Sequence, residues 1–161
     1  MFSPSSPARF ALAFVLVVAA STTACSRFTK TRQCRALIAQ VNPALDEVQA
    51  LTDAGAGGSG GVGGASATAG GGARYLAAAA RYERLAKDLG PMEFSSEQTA
   101  KTVAEYASVL TLTAQNLRAL AVAVDSGNQI EIDRVNRELE RLTIREHAAI
   151  SRIDAWCAPE S

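Results

Sequence analysis

Apolar residues recur at alternating intervals of three and four along four stretches of this 161-residue chain. No other feature constrains its fold as strongly. In the first stretch, about Phe28 to Asp53, the stripe is Cys34, Leu37, Val41, Ala44, Val48 and Leu51. That spacing lines one face of a helix and does not fit the period of two that a half-buried strand requires. The second stretch, about Arg74 to Leu89, carries Tyr75, Ala79 (or Ala78), Tyr82, Leu85 and Leu89. The third runs to about Asp125 with Val103, Tyr106, Leu110, Thr113, Leu117, Leu120 and Val124. The fourth, about Asn128 to Trp156, carries Ile132, Val135, Leu139, Leu142, Ala149, Ile153 and Trp156, with Glu146 interrupting the spacing. Aromatic residues are only 6% of the chain, which favours Ala- and Leu-rich helices over sheet. The expected fold is all-α, an up-down-up-down four-helix bundle over residues 34–157.

Local signals place the helix ends. Pro43 lies inside the first stripe and predicts a kink or break near Asn42, because proline removes a donor and crowds the preceding turn. Gly90-Pro91 terminates the second helix. Ser95 with Gln98 reads as a capping box for the third helix, and Asn128 with Glu131 as one for the fourth. The short turns at 90–95 and 126–127 force antiparallel neighbours. Between Tyr106 and Val124 the only charge is Arg118, so the third helix should be the most enclosed or should meet a partner. The run Val109 to Thr113 suits a strand by propensity, but the length of the pattern favours helix. Asp133 with Arg137 and Arg134 with Glu138 are expected ion pairs on a solvated face. The repeated Arg-Tyr at 74–75 and 81–82 places two tyrosines on one face, read as core rings with hydroxyls at the rim.

Residues 54–73 hold ten glycines and read as a flexible insert between the first and second helices. Gly55, Gly57 and Gly60 match G-x-G-x-x-G, but a helical pattern precedes them where a dinucleotide fingerprint needs a strand. On this reading, replacing 54–73 by a short turn leaves the melting temperature nearly unchanged.

The N-terminus has a different character. Residues 1–24 contain one basic residue, Arg9, and no acidic one. An apolar run, Phe10 to Ala20, is followed by small residues up to Cys25. Eleven apolar residues are too few for a spanning helix, which needs roughly 20. The order of basic, apolar and small residues is that of a secretory signal peptide over 1–24. Thr22-Thr23-Ala24-Cys25 resembles the lipobox of bacterial lipoproteins. That resemblance implies diacylation of the Cys25 sulfur, cleavage just before it, and acylation of the new amino group. With Ser26 next, it also implies an outer-membrane address, hence a lipid-anchored protein of the bacterial cell envelope, on the periplasmic face of the outer membrane. The alternative is ordinary signal cleavage after Ala20 or Ala24, giving a soluble exported protein. Arg27, Lys30, Arg32 and Arg35 precede any acidic residue of the mature chain, so 25–33 reads as a basic tether. These four charges are candidates for contact with anionic headgroups, or else a solvated basic start.

An exported protein with three cysteines leaves one unpaired. If Cys25 carries lipid, Cys34 and Cys157 remain to pair in an oxidising compartment. A simple bundle brings their helix ends together, and residues 158–161 are left as a disordered tail.

No catalytic constellation is legible. His147 is the single histidine, and no metal-ligand spacing or haem-attachment motif surrounds it. Sixteen basic against sixteen acidic residues give no basic excess for nucleic acid. The expectation is a non-enzyme without cofactor or metal, joined to the membrane by its N-terminal lipid and to an envelope protein partner. An alternative is a periplasmic bundle binding a small apolar ligand, for which a closed pocket lined by Tyr82, Tyr106 and Trp156 is the expected sign.

Overall fold

The computed structural model describes residues 29–51 and 71–159. The leader, Cys25, Arg27 and the glycine-rich stretch 52–70 lie outside the described residues. Four helices are present: α1 over 29–51, α2 Gly72–Leu89, α3 Glu97–Asp125 and α4 Gln129–Cys157. No strand occurs among the described residues.

The expected stripes form the buried faces. Leu37, Leu85, Leu89, Val103, Tyr106, Leu110, Ala149 and Ile153 make one core cluster with contributions from every helix. Helix α3 packs against both α2 and α4. By length and composition it is apolar enough to cross a membrane, and its two buried faces account for that composition. The segment Val109 to Thr113 is helical, as the length of the pattern required.

Cross-helix contacts fix which ends meet. Gln33 of α1 donates from Nε2 to the Glu93 carbonyl at 3.0 Å and accepts from the Ser95 hydroxyl at 3.0 Å. Arg81 of α2 pairs with Glu47 of α1 at 2.8 Å. Arg118 of α3 holds Glu83 of α2, with one arm of the pair at 2.6 Å. Arg152 of α4 pairs with Glu105 of α3 at 2.8 Å. These contacts join α1 to α2 and to the α2–α3 turn, α2 to α3, and α3 to α4. These ion pairs are half-exposed, so they mark register more than they contribute to stability. At one end of the bundle the rings of Phe94 and Trp156 meet edge to face, centroids 5.9 Å apart.

Several expectations need correction. Residues 29–33, assigned to the tether, are already helical. Of the kink or break expected at Pro43, the break is absent: α1 stays helical through 51. Ala39, whose carbonyl loses its donor, is exposed, so water can replace that bond. The α3 cap is Ser96, which accepts from the Thr99 amide at 3.3 Å; Ser95 is instead occupied with Gln33. Of the solvated ion pairs on α4, Arg134 pairs with Glu131 at 2.6 Å and Arg141 with Glu138 at 3.1 Å, in place of those expected. Ala158, assigned to the tail, closes α4 by donating to the Asp154 carbonyl at 2.9 Å, and its own carbonyl accepts from Lys30 at 3.3 Å.

The Asn128 cap stands as read, accepting from the Glu131 amide at 3.2 Å. Gly127 just before it has φ +65°, the left-handed conformation that ends α3. The Gly127 amide donates to Val124 and the Asn128 amide to Ala123, which together satisfy two terminal carbonyls.

The start of α2 is the largest departure from the composition-based reading. Gly72 and Ala73, assigned to the insert, are helical. Gly71 offers no capping side chain. The cap comes from the far end of α3, where Asp125 Oδ1 accepts from the Gly72 amide at 2.9 Å. A carboxylate there also meets the positive end of the α2 dipole. The approach needs glycine: a Cβ on Gly72 would lie 2.7 Å from Asp125 Cγ and 2.8 Å from the Ala121 carbonyl oxygen. Replacement of the insert is therefore neutral only if it stops before Gly72. Gly72→Ala should lower stability by about 1–3 kcal/mol through overpacking. Gly90→Ala, whose Cβ would meet nothing closer than 3.4 Å, should be nearly neutral in the same thermal melts.

Candidate functional site

An open cleft of about 460 Å³ lies between all four helices, in the half of the bundle where α1 ends and α2 begins. Val48 and Leu51 of α1 form one wall, with Arg74, Tyr75, Ala78 and Tyr82 of α2 beside them. Thr113 and Leu117 of α3 and Leu139, Thr143 and Glu146 of α4 complete it. Its size is within the range of small-molecule sites. Along the described length of α1 only Cys34 and Leu37 are buried, whereas Val48 and Leu51, which line the cleft, are half-buried.

Glu146 occupies the position in the α4 stripe between Leu142 and Ala149, a core register for a charged residue. The register turns its carboxyl into the cleft. Burial raises its pKa above the ordinary 4.5; the neighbouring His147 charge and the Tyr106 hydroxyl pull the other way without cancelling that rise. Tyr82 is pushed up to about 12, first by burial and then by the Glu146 charge. Tyr106, 1% exposed, is raised for the same two reasons. Its hydroxyl and the Glu146 carboxyl influence each other, but they are not aligned as a formed hydrogen bond. The buried Thr113 hydroxyl likewise has no hydrogen-bond partner. Thr143 is satisfied, donating to the Leu139 carbonyl at 3.0 Å.

Arg74 is turned onto its neighbour, not onto Glu146. Its guanidinium sits 4.7 Å from the Tyr75 ring centroid and donates to the Tyr75 hydroxyl at 2.8 Å. No ion pair among the described residues includes Glu146.

The expected aromatic pocket is thus corrected. Of Tyr82, Tyr106 and Trp156, only Tyr82 lines the cleft; Tyr106 is sealed in the core and Trp156 lies at the disulfide end against Phe94. Sequence reasoning missed Glu146, Thr113 and Thr143 as cleft residues. The signal for Glu146 was available, because a carboxylate that keeps the heptad register has to face the interior.

The other expected site residues lie at the opposite end. Cys34 and Cys157 are at disulfide distance, with Cα atoms 5.7 Å apart. Beside them Lys30, Arg35 and Ile38 line a second groove of about 410 Å³. Arg32 and Arg35 are exposed. His147 is an exposed helix residue, and no group of three or more metal-ligating side chains occurs among the described residues.

The raised pKa of Glu146 has a consequence for stability. The folded state holds this proton more tightly than the unfolded chain, so stability falls as pH rises from 4.5 through the raised value. The titratable groups that interact with this carboxyl are His147 beside it on α4, Tyr106 from α3 and Tyr82 from α2. Arg74 lines the same cleft but is turned onto Tyr75, and the described residues of α1 contribute apolar Val48 and Leu51. Glu146→Gln should therefore raise the melting temperature at neutral pH, with the gain disappearing by about pH 4. Equal gains at both pH values would contradict this origin.

Comparison with protein families, curated proteins and solved structures finds no match for this chain.

Proposed function

We propose that the chain is a bacterial cell-envelope protein, exported by its N-terminal leader and held to the membrane by lipid on Cys25. Its up-down-up-down bundle serves a non-catalytic interaction or structural role, with an envelope protein as partner. The observation that carries this reading is the approach of Cys34 to Cys157. Of three cysteines, two have each other, and the one left over is Cys25 at the end of the leader. A cross-link between these two suits an oxidising compartment, which lies outside the cytoplasm.

Cys25 stands four residues before Thr29, the first described residue of α1. An anchor there would hold the cysteine end of the bundle close to the lipid surface. Arg27, Lys30, Arg32 and Arg35 would then lie within reach of anionic headgroups, each contributing roughly 1 kcal/mol near such a surface. Two or three acyl chains hold firmly where one does not, at about 0.8 kcal/mol per buried methylene.

A second reading, a bundle that binds a small ligand, is favoured by the cleft around Glu146. The two are compatible, since the cleft and the cysteines occupy different halves of the bundle. A soluble secreted bundle remains the form expected if Cys25 is not lipidated.

Mass spectrometry of the mature N-terminus tests the anchor. It should find acylated Cys25; an unmodified N-terminus at Ser21 rejects the lipid claim. A digest without reductant should contain one cross-linked peptide holding Cys34 and Cys157. Free thiols at both positions in envelope-derived protein contradict the compartment.

A further inference from the structure

The four-helix cleft contains a carboxylate without a counter-ion, and that sets what it can take. Among the described residues Glu146 is its only acidic lining residue, and the single lining cation, Arg74, is committed to Tyr75. Thr113, 8% exposed, contributes a hydroxyl with no partner. Leu117, Leu139, Val48 and Leu51 supply an apolar wall. A half-buried carboxylate is costly unless it is paired or protonated. An anion would meet it as a like charge, and a neutral guest would leave it uncompensated. A cation would pair with it, and the aromatic Tyr82 lines the same cleft.

We propose that this cleft is a binding site for a small amphiphilic cation, an ammonium group on an apolar chain or ring. The ammonium pairs with Glu146 and donates to the Thr113 hydroxyl. The apolar body lies against Leu117, Leu139 and the end of α1. Ligand binding then favours ionised Glu146, so affinity increases as pH rises through the pKa of that carboxyl. The site belongs to the folded bundle, and its test does not depend on what happens to Cys25.

Isothermal titration calorimetry of the full chain with octylammonium, octanol and octanoate, all below micelle-forming concentrations, decides the matter. These probes share one apolar chain and differ in head charge. Octylammonium should bind roughly ten-fold or more tightly than either of the others, the difference expected for a charge-assisted hydrogen bond. Glu146→Gln should remove that advantage and leave octanol unchanged. Leu117→Trp, which fills the cleft, should abolish binding of octylammonium and octanol together. Equal affinity for all three probes, a preference for octanoate, no binding by any probe, or an unchanged octylammonium affinity in either variant overturns the proposal.

Discussion

The bundle depends on how its first helix is held. Helix α1 is separated from α2 by the stretch 52–70, and along its described length only Cys34 and Leu37 are buried. Leu37, 1% exposed, belongs to the same cluster as Leu85, Tyr106 and Ile153. Cys34, one turn earlier, lies at disulfide distance from Cys157 at the end of α4. A bond across a sequence separation of 123 residues would stabilise by nearly 5 kcal/mol in the chain-entropy model, with about 2–4 kcal/mol more typical in practice. For a helix with so little buried surface, that is a large share of what keeps it docked.

The same economy of burial creates the cleft. At the cysteine end α1 buries Cys34 and Leu37; toward its other end Val48 and Leu51 are half-buried and line the cleft that Glu146 also lines. At 1.5 Å per residue the two regions of α1 are about 20–25 Å apart. One end therefore carries the cysteine contact, and the other a largely apolar opening into which Glu146 is set. Burial raises the pKa of Glu146, so ionising this carboxyl lowers stability and does not add to it.

How much of this was legible follows from what each signal measures. Periodicity reports which face is buried, so the four helices and most of their core positions were readable. Terminal signals that are satisfied within their own turn, such as Asn128, were readable too. Three features escaped because a tertiary contact decides them. Ser95 and Ser96 are equivalent as caps until Gln33 occupies Ser95. Gly72 belongs by composition to a linker, and only Asp125, 53 residues away, makes it the first residue of a helix. Glu146 looked like a defect in a stripe, although its register put a carboxyl inside. Pro43 was read as a kink or break on backbone grounds alone, and the exposure of Ala39 lets water take up the carbonyl that loses its donor, so the helix continues.

The central claim, that the cysteine contact holds α1 on the bundle, is tested most directly by hydrogen exchange of oxidised and reduced protein. Amides of residues 29–51 should lose protection on reduction, while those of α2, α3 and α4 keep most of theirs. Unchanged protection across 29–51 would contradict the account, because α1 would then be held by packing alone.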